Sequence, residues 1–149
     1  MLGFEHVKKT EYNGIMFDSD LEARCYRAFE SAGLTPRYNT ESFILQPKER
    51  LQIDVFDRVG NKNKNYQNKI GKIMLPISYT PDFIIETPKV TAIIEIKGRV
   101  KEKYEIIKKL FISKLNSDNR NNILYAVCYS VKHCEEIIRI INERNQNCS

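Results

Sequence analysis

The chain has 149 residues, 42% of them hydrophobic and 29% charged, which is the size and composition of one domain with a core of its own. This excludes a disordered or collagen-like chain, and no apolar run approaches the roughly 18 residues of a membrane span. The net charge of +5 is unevenly spread: residues 58–72 carry five basic and no acidic side chains, and residues 97–114 carry seven against two.

Between those blocks, residues 73–96 carry one basic and three acidic side chains. Two basic blocks around an acidic segment are the footprint of a polyanion-binding protein with a cation site between its phosphate contacts. Two solvated lysine-rich faces give the same count. Cysteines 25, 128, 134 and 148 do not have zinc-motif spacing. Isolated thiols and the lack of an apolar leader point to a reducing cytoplasm.

The first predicted element is a helix over 19–32, with Leu21, Cys25, Ala28, Phe29 and Ala32 on one face. Ser19 is its N-cap, Gly33 its stop, and Pro36 blocks continuation. Short strands are expected at 43–45 and 51–55. Residues 60–68, rich in Asn and Lys, read as the tip of an exposed hairpin or loop, and 70–79 as a return toward the core. Strands follow at 82–86 and 92–97, joined by a turn through Thr87, Pro88 and Lys89. A helix over 101–115 presents Ile107, Leu110, Phe111 and Leu115 to the core. A strand at 123–129 and a helix over 132–145, with Cys134, Ile137, Ile138 and Ile141 on one face, complete the chain. The order predicts one α/β domain over 1–149, a mixed central sheet flanked by helices, with a flexible basic loop around 60–69.

The chemistry concentrates around two strands. Asp82 opens one of them, just after Pro81, and Glu95 and Lys97 lie two apart on the next. They therefore share a face, about 7 Å apart, while Ile94 and Ile96 point into the core. If the strands pair as a hairpin, Asp82 reaches the same end of the sheet. Two carboxylates within about 4 Å repel by roughly 4 kcal/mol at an effective dielectric near 20. A hard divalent cation, Mg²⁺ or Mn²⁺, removes that penalty, and a neighbouring lysine can position a water or neutralise a developing oxyanion. An isolated Glu-x-Lys is also common on exposed strands.

The longer pattern, Pro81-Asp82, twelve residues, then Glu95-Ile96-Lys97, resembles the PD-(D/E)xK nuclease superfamily. Tyr79-Thr80-Pro81-Asp82-Phe83 and Ile94-Glu95-Ile96-Lys97-Gly98 are similar to small phage nucleases related to endonuclease I-type Holliday junction resolvases. Phe17-Asp18-Ser19-Asp20-Leu21-Glu22-Ala23 is similar to the segment carrying that family's upstream acidic residue. The resemblance covers 17–115 and implies a restriction-endonuclease-like fold. It implies that Asp82, Glu95 and the carbonyl of Ile96 ligate the metal, that Lys97 is the catalytic lysine, and that Glu22 completes the acidic cluster. Glu22 has a second reading, since Ser19-Asp20-Leu21-Glu22 is a capping box whose glutamate bonds back to the N-cap amide. His6 and His133 read as solvated or partly buried rather than catalytic.

Lys62, Lys64, Lys69 and Lys72 lie in or near the Asn-rich segment, and Arg99, Lys101, Lys108 and Lys109 follow the catalytic strand. These are the candidate phosphate contacts. No base-reading module accompanies them, which favours recognition of DNA shape. The expected protein is a metal-dependent endonuclease for branched or junction DNA in a phage-infected host, acting as a homodimer because resolution needs two cuts. The alternatives are a duplex-cutting or nicking enzyme of restriction or transposase-partner type, and a non-catalytic DNA-binding or virion-packaged protein.

Overall fold

A computed structural model describes residues 8–60, 62–98, 102–119 and 121–147. The chain forms two compact units, one built from 1–42 and 80–149, the other from 43–79.

The first unit opens with a hairpin of β1 (Thr10–Tyr12) and β2 (Ile15–Phe17). Asn13 and Gly14 take positive φ of 53° and 78° in its two-residue turn, the conformation that a tight turn between right-twisted strands requires. Helix α1 (Asp20–Ser31) follows directly, with the Ser19 side chain accepting from the Glu22 amide at 3.1 Å. It ends as predicted at Gly33, whose φ of +81° lets the Gly33 amide reach the Glu30 carbonyl and the Leu34 amide that of Phe29.

Pro36 does more than end a helix. It begins β3 (Pro36–Tyr38), an edge strand not predicted above, where a residue lacking an N–H is tolerated. The central sheet runs in the order β12-β11-β10-β3, with β10 (Phe83–Glu86), β11 (Thr91–Ile96) and β12 (Ile123–Cys128). β10 is antiparallel to β11 and β3, whereas β11 and β12 are parallel and joined through α2 (Glu102–Asp118). The sheet is therefore mixed, the expected α/β architecture and one compatible with a restriction-endonuclease-like fold.

Both faces of this sheet are covered. Phe83, Ile85, Ala92, Ile94, Ile96 and Cys128 lie in the core cluster with Phe17, Ala23, Cys25 and Phe29, and with Cys134 and Ile141 of α3 (Val131–Gln146). α1 packs on α3 across that face. The opposite parity of β12 meets α2, where Phe111 packs edge-on against Tyr125 and the hydroxyls of Tyr104 and Tyr125 bond at 2.9 Å. The core-facing stripe of α2 therefore runs through Tyr104 and Phe111, not Leu110, which is 42% exposed. Cys25, Cys128 and Cys134, isolated in sequence, meet in this core as free thiols. Hydrogen bonding with Cys128 and Cys25 pushes the Cys134 thiol far up.

The second unit is a nested antiparallel ribbon. β4 (Phe43–Gln46) pairs with β9 (Ile77–Tyr79), β5 (Glu49–Arg50) with β8 (Ile73–Met74), and β6 (Phe56–Val59) with β7 (Lys62–Asn68). Residues 51–55, read above as a strand, lie between β5 and β6, and 62–68, read as a hairpin tip or loop, form a strand. Backbone pairing needs no apolar side chain, so polar composition hid β7. The expected return of 70–79 to the core is met only at its end, where Tyr79 is buried; Ile70, Ile73, Met74, Leu75 and Ile77 are exposed, because a two-stranded ribbon has no interior. Among the described residues, no helix is long and apolar enough to cross a membrane.

Candidate active site

The register Phe83↔Ile94 places Asp82 opposite Glu95 at the end of the β10–β11 pair. Both backbones are held there by continued ladders. The Asn39 amide donates to the Asp82 carbonyl at 3.0 Å, and the Lys97 amide to the Cys128 carbonyl at 3.0 Å. The period of two sends Glu95 and Lys97 to one face, away from Ile94 and Ile96, as expected.

Glu95 is 6% exposed, and its Oε1 lies 3.0 Å from the Lys97 ammonium. That ammonium also sits 4.1 Å from the centre of the Tyr104 ring, so α2 supplies a cation–π partner to the lysine. Asp82 Oδ2 accepts from the Ile96 amide at 2.7 Å. The Ile96 group that meets Asp82 is thus its N–H. Burial, then the negative charge of Glu95, push the Asp82 carboxyl up to about 8. Glu22 adds to this, while the Ile96 amide and Lys97 oppose it.

Glu22 reaches the same field from α1. It is 8% exposed, and its carboxyl is pushed up chiefly by burial, with Asp18 and Glu95 adding repulsion. The expected capping box is half formed. Ser19 caps the Glu22 amide, but Glu22 Oε2 accepts from the Tyr38 hydroxyl at 2.6 Å and the Asp18 amide at 3.2 Å. The Tyr38 hydroxyl in turn accepts from the Asp18 amide at 3.0 Å. Burial and the bond to Glu22 hold the Tyr38 phenol well above its ordinary range. A side chain serving only as a cap would not need a half-buried tyrosine from the sheet edge.

Three carboxylates from three elements, with a lysine beside them, are hard-oxygen donors of the kind that suit Mg²⁺ or Mn²⁺. Their mutual repulsion, felt at Asp82 and Glu22, is what a cation would relieve. Among the described residues, no three or more His, Cys, Asp or Glu side chains already stand in a metal-holding group. Donors from this chain engage all three instead: Tyr38 and the Asp18 amide hold Glu22, the Ile96 amide holds Asp82, and Lys97 holds Glu95.

A family model described as a protein of unknown function, DUF1064, matches residues 5–133. The chain belongs to the DUF1064 family. The match spans every candidate residue above, from Glu22 to Lys109, so the site lies within the part of the chain that defines DUF1064. No curated protein and no solved structure matches the chain.

The other candidates are dispersed. Lys108 bonds Glu105 at 2.9 Å and lies 5.8 Å from the Tyr104 ring centre, whereas Lys109 is exposed on α2. Lys72 bonds Gln67 at 3.1 Å, and Lys69 is half-buried. Lys62 and Lys64 have their backbones in β7. Arg99, Lys101 and His6 lie outside the described residues. His133 is exposed and accepts from the Tyr129 amide through Nδ1 at 3.0 Å. Two surface concavities, one lined by Ile112, Leu115 and Tyr125 and the other by Leu34, Pro88 and Asn145, include none of the four central residues. Tyr38 and Tyr104 are the contributors that sequence reasoning missed.

Proposed function

We propose that the chain is a divalent-metal-dependent DNA endonuclease of the PD-(D/E)xK type, hydrolysing phosphodiester bonds in branched or junction DNA as a homodimer. One arrangement carries this reading: the β10–β11 register sets Asp82, just before β10, opposite the buried Glu95, Lys97 bonds Glu95, and the charge of the buried Glu22 on α1 is felt at Asp82.

Asp82 and Glu95 would hold the ion, with Glu22 and the Ile96 carbonyl as further donors. The chemistry such an ion supplies when bound is polarisation of the phosphate and a more acidic water. The chain's own residues do the rest. The Ile96 amide fixes Asp82, Tyr38 fixes Glu22, and the Tyr104 ring aims the Lys97 ammonium. Lys97, once released from Glu95, can neutralise charge developing on a phosphate oxygen or orient the attacking water. Two cuts in opposed strands need two such sites, which a symmetric dimer provides.

One observation favours a non-catalytic DNA-binding protein instead: each carboxylate already has a protein donor. Cleavage of junction, duplex and single-stranded DNA, measured with Mg²⁺, with Mn²⁺ and with EDTA, separates the readings. Metal-dependent cutting, strongest on the junction and lost in Asp82→Asn while DNA binding persists, is expected. Absence of cutting on all three substrates with either metal overturns the proposal, as does full activity of Asp82→Asn.

A further inference from the structure

The β6–β7 hairpin carries a feature that the acidic site does not use. Phe56 and Tyr66 stack on one another with ring centres 6.2 Å apart and planes 22° from parallel. Yet they are 57% and 72% exposed. Two large aromatic side chains so far out of any core gain little from burial. The pairing explains how they meet: Phe56 lies opposite Asn68 and Arg58 opposite Tyr66, so Phe56 and Tyr66 are diagonal neighbours on one face of the ribbon. Arg58 shares that face by register.

The setting is basic. Residues 43–79 carry seven Lys or Arg and three Asp or Glu, and Lys62 and Lys64 belong to the same strand as Tyr66. Exposed aromatic faces on a positively charged ribbon complement one ligand chemistry above others, a phosphate-linked strand whose bases are unstacked and available. Every base presents a π-face, so such a platform needs no sequence. A fully paired duplex hides those faces within its own stack.

We infer that Phe56 and Tyr66 form a stacking platform for unpaired nucleotides of DNA, with the basic residues of the ribbon following the backbone. This deepens the nuclease reading, and rests on it for the choice of DNA: a branch point or frayed end is where a junction exposes unpaired bases. It adds an interaction that charge alone does not provide.

The test uses the full chain in EDTA, so that no cleavage is needed, and measures anisotropy of labelled oligo-dT against an abasic strand of equal length and charge. The wild type is expected to bind oligo-dT about tenfold or more tightly than the abasic strand. Phe56→Ala/Tyr66→Ala should bind both equally, at the wild-type affinity for the abasic strand. Tyr66→Phe should keep the preference. Tyr66→Leu, which retains apolar bulk without a ring and guards against misfolding of the double variant, should lose most of it.

Equal binding of both strands by the wild type overturns the inference, and so does a preference that survives in both Phe56→Ala/Tyr66→Ala and Tyr66→Leu. A change in sedimentation of the free protein on Phe56→Ala/Tyr66→Ala, with base preference intact, would assign the rings to self-association and also overturn it. A chain that prefers oligo-dT but cuts no DNA loses the nuclease reading alone. One that cuts DNA but shows no preference loses the platform alone.

Discussion

The Tyr38 hydroxyl donates to Glu22 across 2.6 Å, linking an edge strand to the first helix at a carboxylate that sequence alone also reads as part of a helix cap. The cap is Ser19, and the Glu22 carboxylate instead accepts from Tyr38 and the Asp18 amide and feels the charge of Glu95. Ser19→Ala should therefore cost about 1 kcal/mol of stability with little effect on cleavage. Glu22→Gln should do the opposite, lowering cleavage by orders of magnitude at nearly constant Tm. Tyr38→Phe should fall between, since it removes one of the two donors to Glu22, leaving the Asp18 amide. Thermal melts run beside single-turnover cleavage separate the three; full activity of Glu22→Gln would remove it from the site.

Asp82 gives the metal-free protein a pH signature. Its carboxyl titrates near 3.8 when unperturbed and near 8 in the fold, raised first by burial and then by Glu95. Between those values the folded state holds a proton that the unfolded chain has released. Its contribution to stability therefore falls as pH rises through that window and is fully lost above about 8. Tm in EDTA should decline from pH 4 toward pH 8 more steeply in the wild type than in Asp82→Asn. Added Mg²⁺ should recover Tm at the upper end in the wild type and not in the variant. Parallel pH profiles for the two proteins would show that Asp82 is not the titrating group.

The Asp82–Glu95–Lys97 placement was readable because strand alternation fixes it, and Asp82 needed only the β10–β11 hairpin to come opposite Glu95. The partners were not readable. Tyr38 enters from β3, a three-residue edge strand beginning at a proline, too short to show alternation. Tyr104 lies on a helix whose apolar side chains are spread around it, so Leu110 looked as good a core residue. Asn13-Gly14 carries a strong local hairpin signal that the predicted elements omit. The ribbon at 43–79 resisted reading for a different reason. Its strands are paired to one another by backbone, and most of its apolar residues stay exposed, so neither periodicity nor burial marks them.

Phe83 joins the fold to the site. It follows Asp82 in sequence and is fully buried against the rings of Phe17, Tyr26, Phe29 and Tyr38. Phe83→Ala should cost about 3–5 kcal/mol in chemical denaturation. Phe83→Leu should cost less and leave cleavage measurable. A loss under about 1 kcal/mol for the alanine variant would mean that this cluster does not support the Asp82 strand.

The Lys97–Tyr104 pair predicts a split between two tyrosine variants. Tyr104→Phe keeps the ring 4.1 Å from the ammonium and loses only the bond to Tyr125, a change of about 0.5–1.5 kcal/mol in stability. Tyr104→Leu removes the ring as well, forfeiting a cation–π interaction of about 0.5–2 kcal/mol. If the ring aims the lysine, Tyr104→Leu should lower kcat with KM little changed, and Tyr104→Phe should stay close to the wild type. Equal kcat in the two variants would leave Tyr104 a packing residue only.

Two adjacent lysines on α2 should behave differently toward DNA. Lys108 already bonds Glu105 at 2.9 Å, so a phosphate must compete with that carboxylate. Lys109 is exposed on the same helix, with no such ion pair at its ammonium among the described residues. For each phosphate of duplex DNA that the protein ceases to neutralise, the slope of log affinity against log salt shrinks by about 0.9. Lys109→Ala should show that full reduction, and Lys108→Ala a smaller one. Glu105→Gln should raise affinity by releasing Lys108. Titrations across a salt series on one duplex decide this. If both alanine variants keep the wild-type slope, the α2 face is not a phosphate track, and the basic ribbon at 43–79 becomes the place to seek it.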